Sequence, residues 1–522
     1  MERKPRIGFI DFNDERAHVV EETLKGAQAL KAGTLSAIRS TGRVNIVDGA
    51  KGFTGGDKMA WNPAIARRQT NALIDADVDG VIFNYSVWAS PRLTRLVAQQ
   101  LIAAHEKKGK SAPIAILTNL APEQPGMVGG MAGAGGLDQL GISNFRIWSE
   151  NLAKDKRKLA LLAGFCEFAY KRQLAGKAAQ NAIERLRGQI YGEIGGRSIQ
   201  IVTAEADPLQ WAKVFGVDTQ PIGQAEIIRL ANQMIRWSDG VNSEVVEILD
   251  KRVSKAFDHL TKHIGKRIHY GGKFNESKLK YQIACYYATE DIIKENGLDF
   301  IGVKCQTEMS EWNVTQCLTQ AFSNDTVGPG GEKKKIVVCA CEDDKDAAMT
   351  QQIMHLLTGL PTMFADFRHL DPDHNVLYLV NCGAHTPWFA TRSEDCVANL
   401  KKTSLDSQAF FYAACGATVN FDAAPGPVTG ARLGRMSGKY WMNIVPGEFI
   451  RRPKKSFPTT PGWPHAFFRF NVPMEKLFQE HPCNHMQVVA GDQTAGLVEV
   501  CDRLGIGYKI QDEDHPYHKT PC

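Results

Sequence analysis

The chain of 522 residues lacks an apolar run long enough for a signal peptide or a membrane span, and after Met-Glu-Arg-Lys-Pro-Arg it enters the short apolar stretch IGFIDF. A cytoplasmic location is the expectation. It also lacks a strong charge of either sign. The formal net charge is only +5, so no polycation for nucleic acid is implied. The basic runs 107–110, 333–335 and 451–455 are short and flanked by Gly or Pro, as solvated loops are. No repeat or low-complexity segment stands out. The twelve cysteines lack the regular framework of a small secreted domain, and Cys285, Cys305, Cys339, Cys382 and Cys415 sit in apolar runs, which suits reduced, buried thiols. Cys339 and Cys341 resemble half of a soft-metal site, but no second pair stands at zinc-ribbon spacing.

What is present is the composition of a globular protein, 43% hydrophobic and 23% charged, in a chain too long for one core. Strand and helix alternate over the first ~120 residues, with strands expected at Arg6 to Phe12, Arg43 to Val47, Gly80 to Tyr85 and Pro113 to Asn119. That is the pattern of a doubly wound parallel sheet. The Gly-rich stretch from Gly126 to Gly141 lacks a GK[ST] ending and is read as a loop or a tight helix contact rather than a phosphate cradle. Residues 151–188 have helical periodicity, for one long helix or two short ones. A second α/β segment is expected from a strand at Arg197 to Thr203. Beyond Asp366 the texture changes to short strands such as Asn375 to Val380, Ala409 to Phe421, Tyr440 to Val445 and Ala466 to Phe470. The fold class is therefore α/β in three domains: an α/β domain at 1–186, a second at 187–357 and a β-rich domain at 358–522.

The chemistry concentrates near the middle. KIVVCACE reads as a buried strand closing on Glu342, 344–358 as a helix, and PTMFAD as a strand closing on Asp366. In one βαβ unit with parallel neighbouring strands, both carboxylates would stand at one sheet edge, roughly 5 Å apart or about twice that if a strand intervenes. A carboxylate pair so close calls for a divalent cation or a shared proton, unless both are solvent-facing caps. His485, in PCNHMQVVAGD, could complete a two-carboxylate, one-histidine set. Oxygen-rich ligation with one nitrogen suits Mn²⁺ or Mg²⁺ better than tetrahedral zinc.

The blocks GVKCQTEMSEW, VVCACEDDKDAAMTQQIMHLLTGLPTMFADFRH and the late CNH resemble, in order and spacing, the L-fucose isomerase family, with a more distant likeness to L-arabinose isomerase. The resemblance implies a metal-dependent aldose–ketose isomerase working through an enediolate, with a sugar like L-fucose or D-arabinose; a same-fold isomerase for an anionic, 6-sulfonated hexose is the alternative. It implies Glu342, Asp366 and His485 as ligands of Mn²⁺, with Mg²⁺ or Co²⁺ as substitutes, and Glu342 and Asp366 as the acid and base. Asn484 and Gln306 fall on substrate-side positions, and Arg16 and Trp88 on residues that reach the sugar of a neighbouring subunit in a homo-hexamer. His385 falls close to an additional histidine of the arabinose pattern. Lys304, Arg368 and Arg16 are the cations that could meet a charged C6 group. A non-catalytic sugar-binding protein, or a metal-dependent hydrolase or aldolase, would carry the same fold with different chemistry. No nucleic acid or membrane partner is expected.

Overall fold

The computed structural model describes residues 3–120, 126–240, 242–408, 412–454, 460–514 and 518–519. The chain forms two compact units, Met1–Gln180 with Ala495–Cys522, and Asn181–Thr494. Among the described residues no helix is long and apolar enough to cross a membrane, and no disulfide forms.

In the first unit five strands, β1 (Arg6–Phe12), β2 (Asn45–Asp48), β3 (Gly80–Tyr85), β4 (Ile114–Asn119) and β5 (Asn144–Ser149), make one parallel sheet in the order β2-β1-β3-β4-β5. Helices α1 (Ala17–Ser40), α2 (Pro63–Asp75) and α3 (Pro91–Glu106) make the crossovers. Strands β3 and β4 are buried along their whole length, which is why they read as continuous apolar runs. The Gly-rich stretch becomes helix α4 (Gly126–Asp138). Its glycines permit close contact: a Cβ on Gly129 would meet the Val87 carbonyl at 2.7 Å, and one on Gly133 would collide with the Tyr85 hydroxyl. The next helical stretch is one long helix, α5 (Lys156–Leu186).

The second unit holds two large sheets, beside a three-stranded and a two-stranded one. A four-stranded parallel sheet has the order β9-β8-β6-β7, from β6 (Ile190–Ile194), β7 (Asp218–Ile222), β8 (Phe300–Val303) and β9 (Cys339–Cys341). Helices α6 (Pro208–Val214), α7 (Ala225–Met234), α8 (Lys251–Ile264) and α9 (Glu276–Asn296) lie between β6 and β8 in sequence. The expected strand at 197–203 is instead a loop ending in a short 3₁₀ turn, and β6 precedes it. After β9 comes helix α10 (Lys345–Thr358), capped by the Asp344 side chain and ended by Gly359 in the left-handed conformation at φ 73°.

Six antiparallel strands then close into a barrel: β10 (Thr362–Asp371), β11 (Val376–Val380), β12 (Gly426–Met436), β13 (Lys439–Ile450), β14 (His465–Phe470) and β15 (His485–Ala490). The order β12-β15-β10-β11-β14-β13 is completed by pairing of β12 with β13. Along β10 and β15 the apolar Met363, Ala365, Met486 and Val488 join one continuous core. The alternate positions, Thr362, Phe364, Asp366, His485 and Gln487, lie on the other face. Thr362 there accepts a hydrogen bond from Gln351 of α10. The strand expected at 409–421 is short, Ala417–Asn420, and residues 409–411 lie outside the described residues, as does Lys455 of the basic run.

Two expectations change here. β9 and β10 belong to different sheets, one parallel and one antiparallel, so α10 does not close a βαβ unit. Asp366 stands inside β10 rather than at its end, because pairing with β11 carries the strand on to Asp371.

Candidate metal and acid–base centre

Glu342, Asp344, Asp366, His485 and Asn484 come together in the second unit from three directions. Asp366 and His485 are direct partners across the antiparallel pair β10–β15, and the Phe367 amide donates to the Asn484 carbonyl at 2.8 Å. Register therefore fixes their approach. Glu342 arrives from the end of β9. It and Asp343 occupy the left-handed region, φ 60° and 51°, where only a tightly held turn keeps residues with a Cβ.

That turn sends three consecutive acids to three destinations. Glu342 Oε2 lies 3.3 Å from His485 Nε2. Asp343 accepts from the Tyr191 hydroxyl at 2.5 Å and faces the Lys345 ammonium at 3.5 Å. Asp344 Oδ2 accepts from His485 Nδ1 at 2.7 Å and from Arg432 at 2.8 Å, while its Oδ1 caps the Ala347 amide at 3.0 Å. The local reason is the absence of room for anything bulkier: a Cβ on Gly302 of β8 would strike both the Tyr191 hydroxyl and the Asp343 carboxylate.

His485 is wholly buried, with Nε2 3.2 Å from Asp366 Oδ1. Asn484 Nδ2 lies 2.9 Å from the same nitrogen. Burial opposes a charged imidazole, yet Asp344, Asp366, Cys483 and Glu342 together hold its pKa well above the ordinary histidine value. For Asp344, burial would raise the pKa, but Arg432 and the bonded imidazole draw it down to about 2. Nδ1–H is thus committed to a carboxylate, and Nε2 is the nitrogen presented to Glu342 and Asp366.

The donor set fits a hard divalent cation. Glu342 Oε2 is buried without a hydrogen-bond partner, and two carboxylates and one imidazole nitrogen converge where only a proton on Nε2 would otherwise offset their charge. A second cluster, Asp344, Cys483 and His485, has its donor atoms within 4.8 Å of one another. The Arg432 guanidinium already neutralises Asp344 there, which disfavours a second cation.

The remaining expected residues divide. Gln306 is in the same unit, donating to the Tyr412 hydroxyl at 2.8 Å. The Cys382 thiol near that hydroxyl is 3.8 Å from the thiol of Cys341, which precedes Glu342. His385 lies in the loop after β11, fully buried, where burial and then the neighbouring His465 push its pKa down to about 3. It shares no hydrogen bond or ion pair with Glu342, Asp366 or His485. Arg16 and Trp88 belong to the first unit, following β1 and β3 at the carboxyl edge where the strand order reverses. Arg16 is exposed and ion-paired with Asp14 at 2.6 Å. Asp344, Arg432 and Tyr412 were not singled out from sequence. Only Asp344 had a local signal there, as a helix-capping acid before α10.

Residues 4–161 match the model of the first N-terminal domain of L-fucose isomerase, and residues 379–511 match that of its C-terminal domain. The chain belongs to the L-fucose isomerase family. The matched segments hold Arg16, Trp88, His385, Asn484 and His485, whereas Gln306, Glu342 and Asp366 fall between them. The chain is also similar to a sulfoquinovose isomerase of Clostridium sp. (strain MSTE9), 26% identical over 235 residues, or 44% of this chain and 48% of that protein. The match spans about half the length of this relative.

Proposed function

We propose that this member of the L-fucose isomerase family is a metal-dependent aldose–ketose isomerase, with Glu342 and Asp366 as its acid and base. The observation that carries the reading is the convergence of Glu342 and Asp366 on His485 Nε2, at 3.3 and 3.2 Å. Isomerisation moves a proton between C2 and C1 of an open-chain sugar, and a carbon beside a carbonyl is a weak acid. A divalent cation such as Mn²⁺, held by Glu342, Asp366 and His485, would polarise the carbonyl and offset the negative charge that develops on the sugar oxygens. One carboxylate takes the proton from carbon and the other supplies a proton at the adjacent position, each contribution worth about 10² to 10⁴ in rate. Glu342, nearly buried on its turn, and Asp366, about a third exposed at the strand edge, approach from different elements, as two groups serving two carbons require. Asn484 and the Gln306–Tyr412 pair bind sugar hydroxyls beside them.

For the sugar, an L-fucose- or D-arabinose-like aldose follows from the family, and a 6-sulfonated hexose from the relative that isomerises sulfoquinovose. Arg16 and Trp88 serve the site of a neighbouring copy in a homo-hexamer, which sedimentation of the purified protein would reveal as a single species of six chains. The central test is turnover with Mn²⁺ on L-fucose, D-arabinose, L-arabinose and a 6-sulfonated hexose in D₂O. Ketose formation with solvent deuterium entering C1 or C2 is the expected result. Absence of turnover on every sugar would sink the isomerase reading, and turnover without deuterium would remove the proton relay in favour of a hydride shift.

A further inference from the structure

Of the three cations that could meet a charged sugar, two are already occupied. Lys304 is paired with Glu308 at 2.9 Å, and Arg16 with Asp14. Arg368 is different. Among the described residues it has no carboxylate partner: it donates to the Thr460 hydroxyl at 2.7 Å, and its guanidinium carbon stands 5.3 Å from the centre of the Trp463 ring.

The backbone explains why this side chain is available. Pairing of β10 with β11 runs from Phe367 opposite Leu379 to His369 opposite Tyr378, so Arg368 is the extra residue of a bulge, two positions past Asp366. Bulges re-aim a side chain and recur beside active sites. Trp463 in turn stands 6.2 Å from the Tyr412 ring, and Tyr412 is bonded to Gln306. Trp463 also donates to Gln408 at 2.6 Å, and Gln408 donates to the Cys382 carbonyl at 2.6 Å, which fixes the indole against the loop whose thiol touches Cys341. A chain of contacts thus runs from Cys341, next to Glu342, through Cys382, Tyr412 and Trp463 to a guanidinium that has no carboxylate partner among the described residues.

We propose that Arg368, held over Trp463, recognises an anionic group at the end of the sugar remote from C1, so that the preferred aldose carries a terminal sulfonate or phosphate. This rests on the isomerase reading above and adds the residue and chemistry that select the substrate. A guanidinium offers a planar pair of donors to a tetrahedral oxyanion, and stacking on an indole keeps that plane fixed without using its donors. Trp463 and Tyr412 supply flat apolar faces for the carbon chain in between.

The test compares a 6-sulfonated aldohexose, a 6-phosphorylated one and the unsubstituted parent, in wild type, Arg368→Ala and Arg368→Lys, by kcat/KM and by calorimetric binding to the Mn²⁺-loaded protein. The charged-to-neutral ratio of kcat/KM should fall about 10- to 100-fold in Arg368→Ala, chiefly through KM, with partial recovery in Arg368→Lys and on adding guanidinium ion. Whichever of sulfonate or phosphate shows the larger loss is the group recognised. An unchanged ratio, or loss that guanidinium cannot restore, overturns the assignment. If no sugar is turned over but charge-dependent binding is still lost in Arg368→Ala, the isomerase reading fails while the role of Arg368 stands.

Discussion

Replacing Asp344 by Asn tests how His485, the proposed metal ligand, is held. Asp344 is fully buried and uses both oxygens: Oδ2 joins His485 Nδ1 and Arg432, and Oδ1 caps helix α10. An amide has one acceptor oxygen, so Asn must turn its NH₂ either toward the Ala347 amide or toward two other donors. The carboxyl pKa of about 2, below the usual range, means that Asp344 contributes stability above pH 4 that disappears as pH falls toward 2. The depression corresponds to about 2 kcal/mol at neutral pH, and stranding the buried Arg432 charge raises the loss toward about 3 kcal/mol. Arg432 keeps the Thr203 carbonyl at 2.9 Å, which limits the damage. Thermal unfolding should therefore shift down by several degrees at pH 7, and the difference from wild type should shrink as pH falls from 4 to 2. Loosening the imidazole should also weaken Mn²⁺ binding about 10- to 100-fold, read by calorimetric titration of metal-free protein. Asp207→Ala, which removes the cap of α6 at the Leu209 amide, is the control: it should cost about 1 kcal/mol and leave Mn²⁺ affinity alone. Wild-type metal affinity in Asp344→Asn would refute the role assigned to the Asp344–His485 pair.

Glu342→Gln and Asp366→Asn should each cut turnover by about 10² to 10⁴ while sugar binding, measured by calorimetry, falls far less; preserved turnover in either would remove that residue from the proton transfer. Gly302→Ala pushes a methyl into the Tyr191–Asp343 contact and should displace the turn bearing Glu342. Reduced Mn²⁺ affinity and a lower unfolding temperature are expected, and a neutral outcome on both would show that the turn tolerates the shift. In the first unit, burial with Asp48 nearby raises Asp11 to about 7 against Lys31, Asn84 and Ser86, and its Oδ2 has no hydrogen-bond partner. The folded state thus holds this proton more tightly than the unfolded chain, and stability falls as pH climbs from about 4 to 7. Asp11→Asn should abolish that fall, so its unfolding temperature should exceed wild type increasingly toward pH 8; a difference independent of pH would contradict the burial argument.

Elements whose cause is local were legible from the residues alone. The apolar runs of β1, β3 and β4 and the 3.6-residue period of α5 depend on neighbours within a few positions, and these appear where expected. For the Gly-rich stretch a loop and a tight helix contact were both open readings, and it is the helix that forms, because only packing against β3 and β4 decides between them. The strand-end pairing of Glu342 and Asp366 was legible as a convergence but for the wrong reason. A buried three-residue strand and a strand of ten look alike over their first apolar positions, and only long-range hydrogen bonding decides that β9 is parallel to β8 while β10 pairs antiparallel with β11 and β15. For the same reason no periodicity could place His485 opposite Asp366, put Arg432 behind Asp344, or show that Arg368 is left over at a bulge. Each depends on which distant strand supplies the partner. Residue type and spacing pointed to the carboxylate pair, and the family resemblance added His485; tertiary structure decided which carboxylates face His485 Nε2, which one holds Nδ1, and which guanidinium has no carboxylate partner among the described residues.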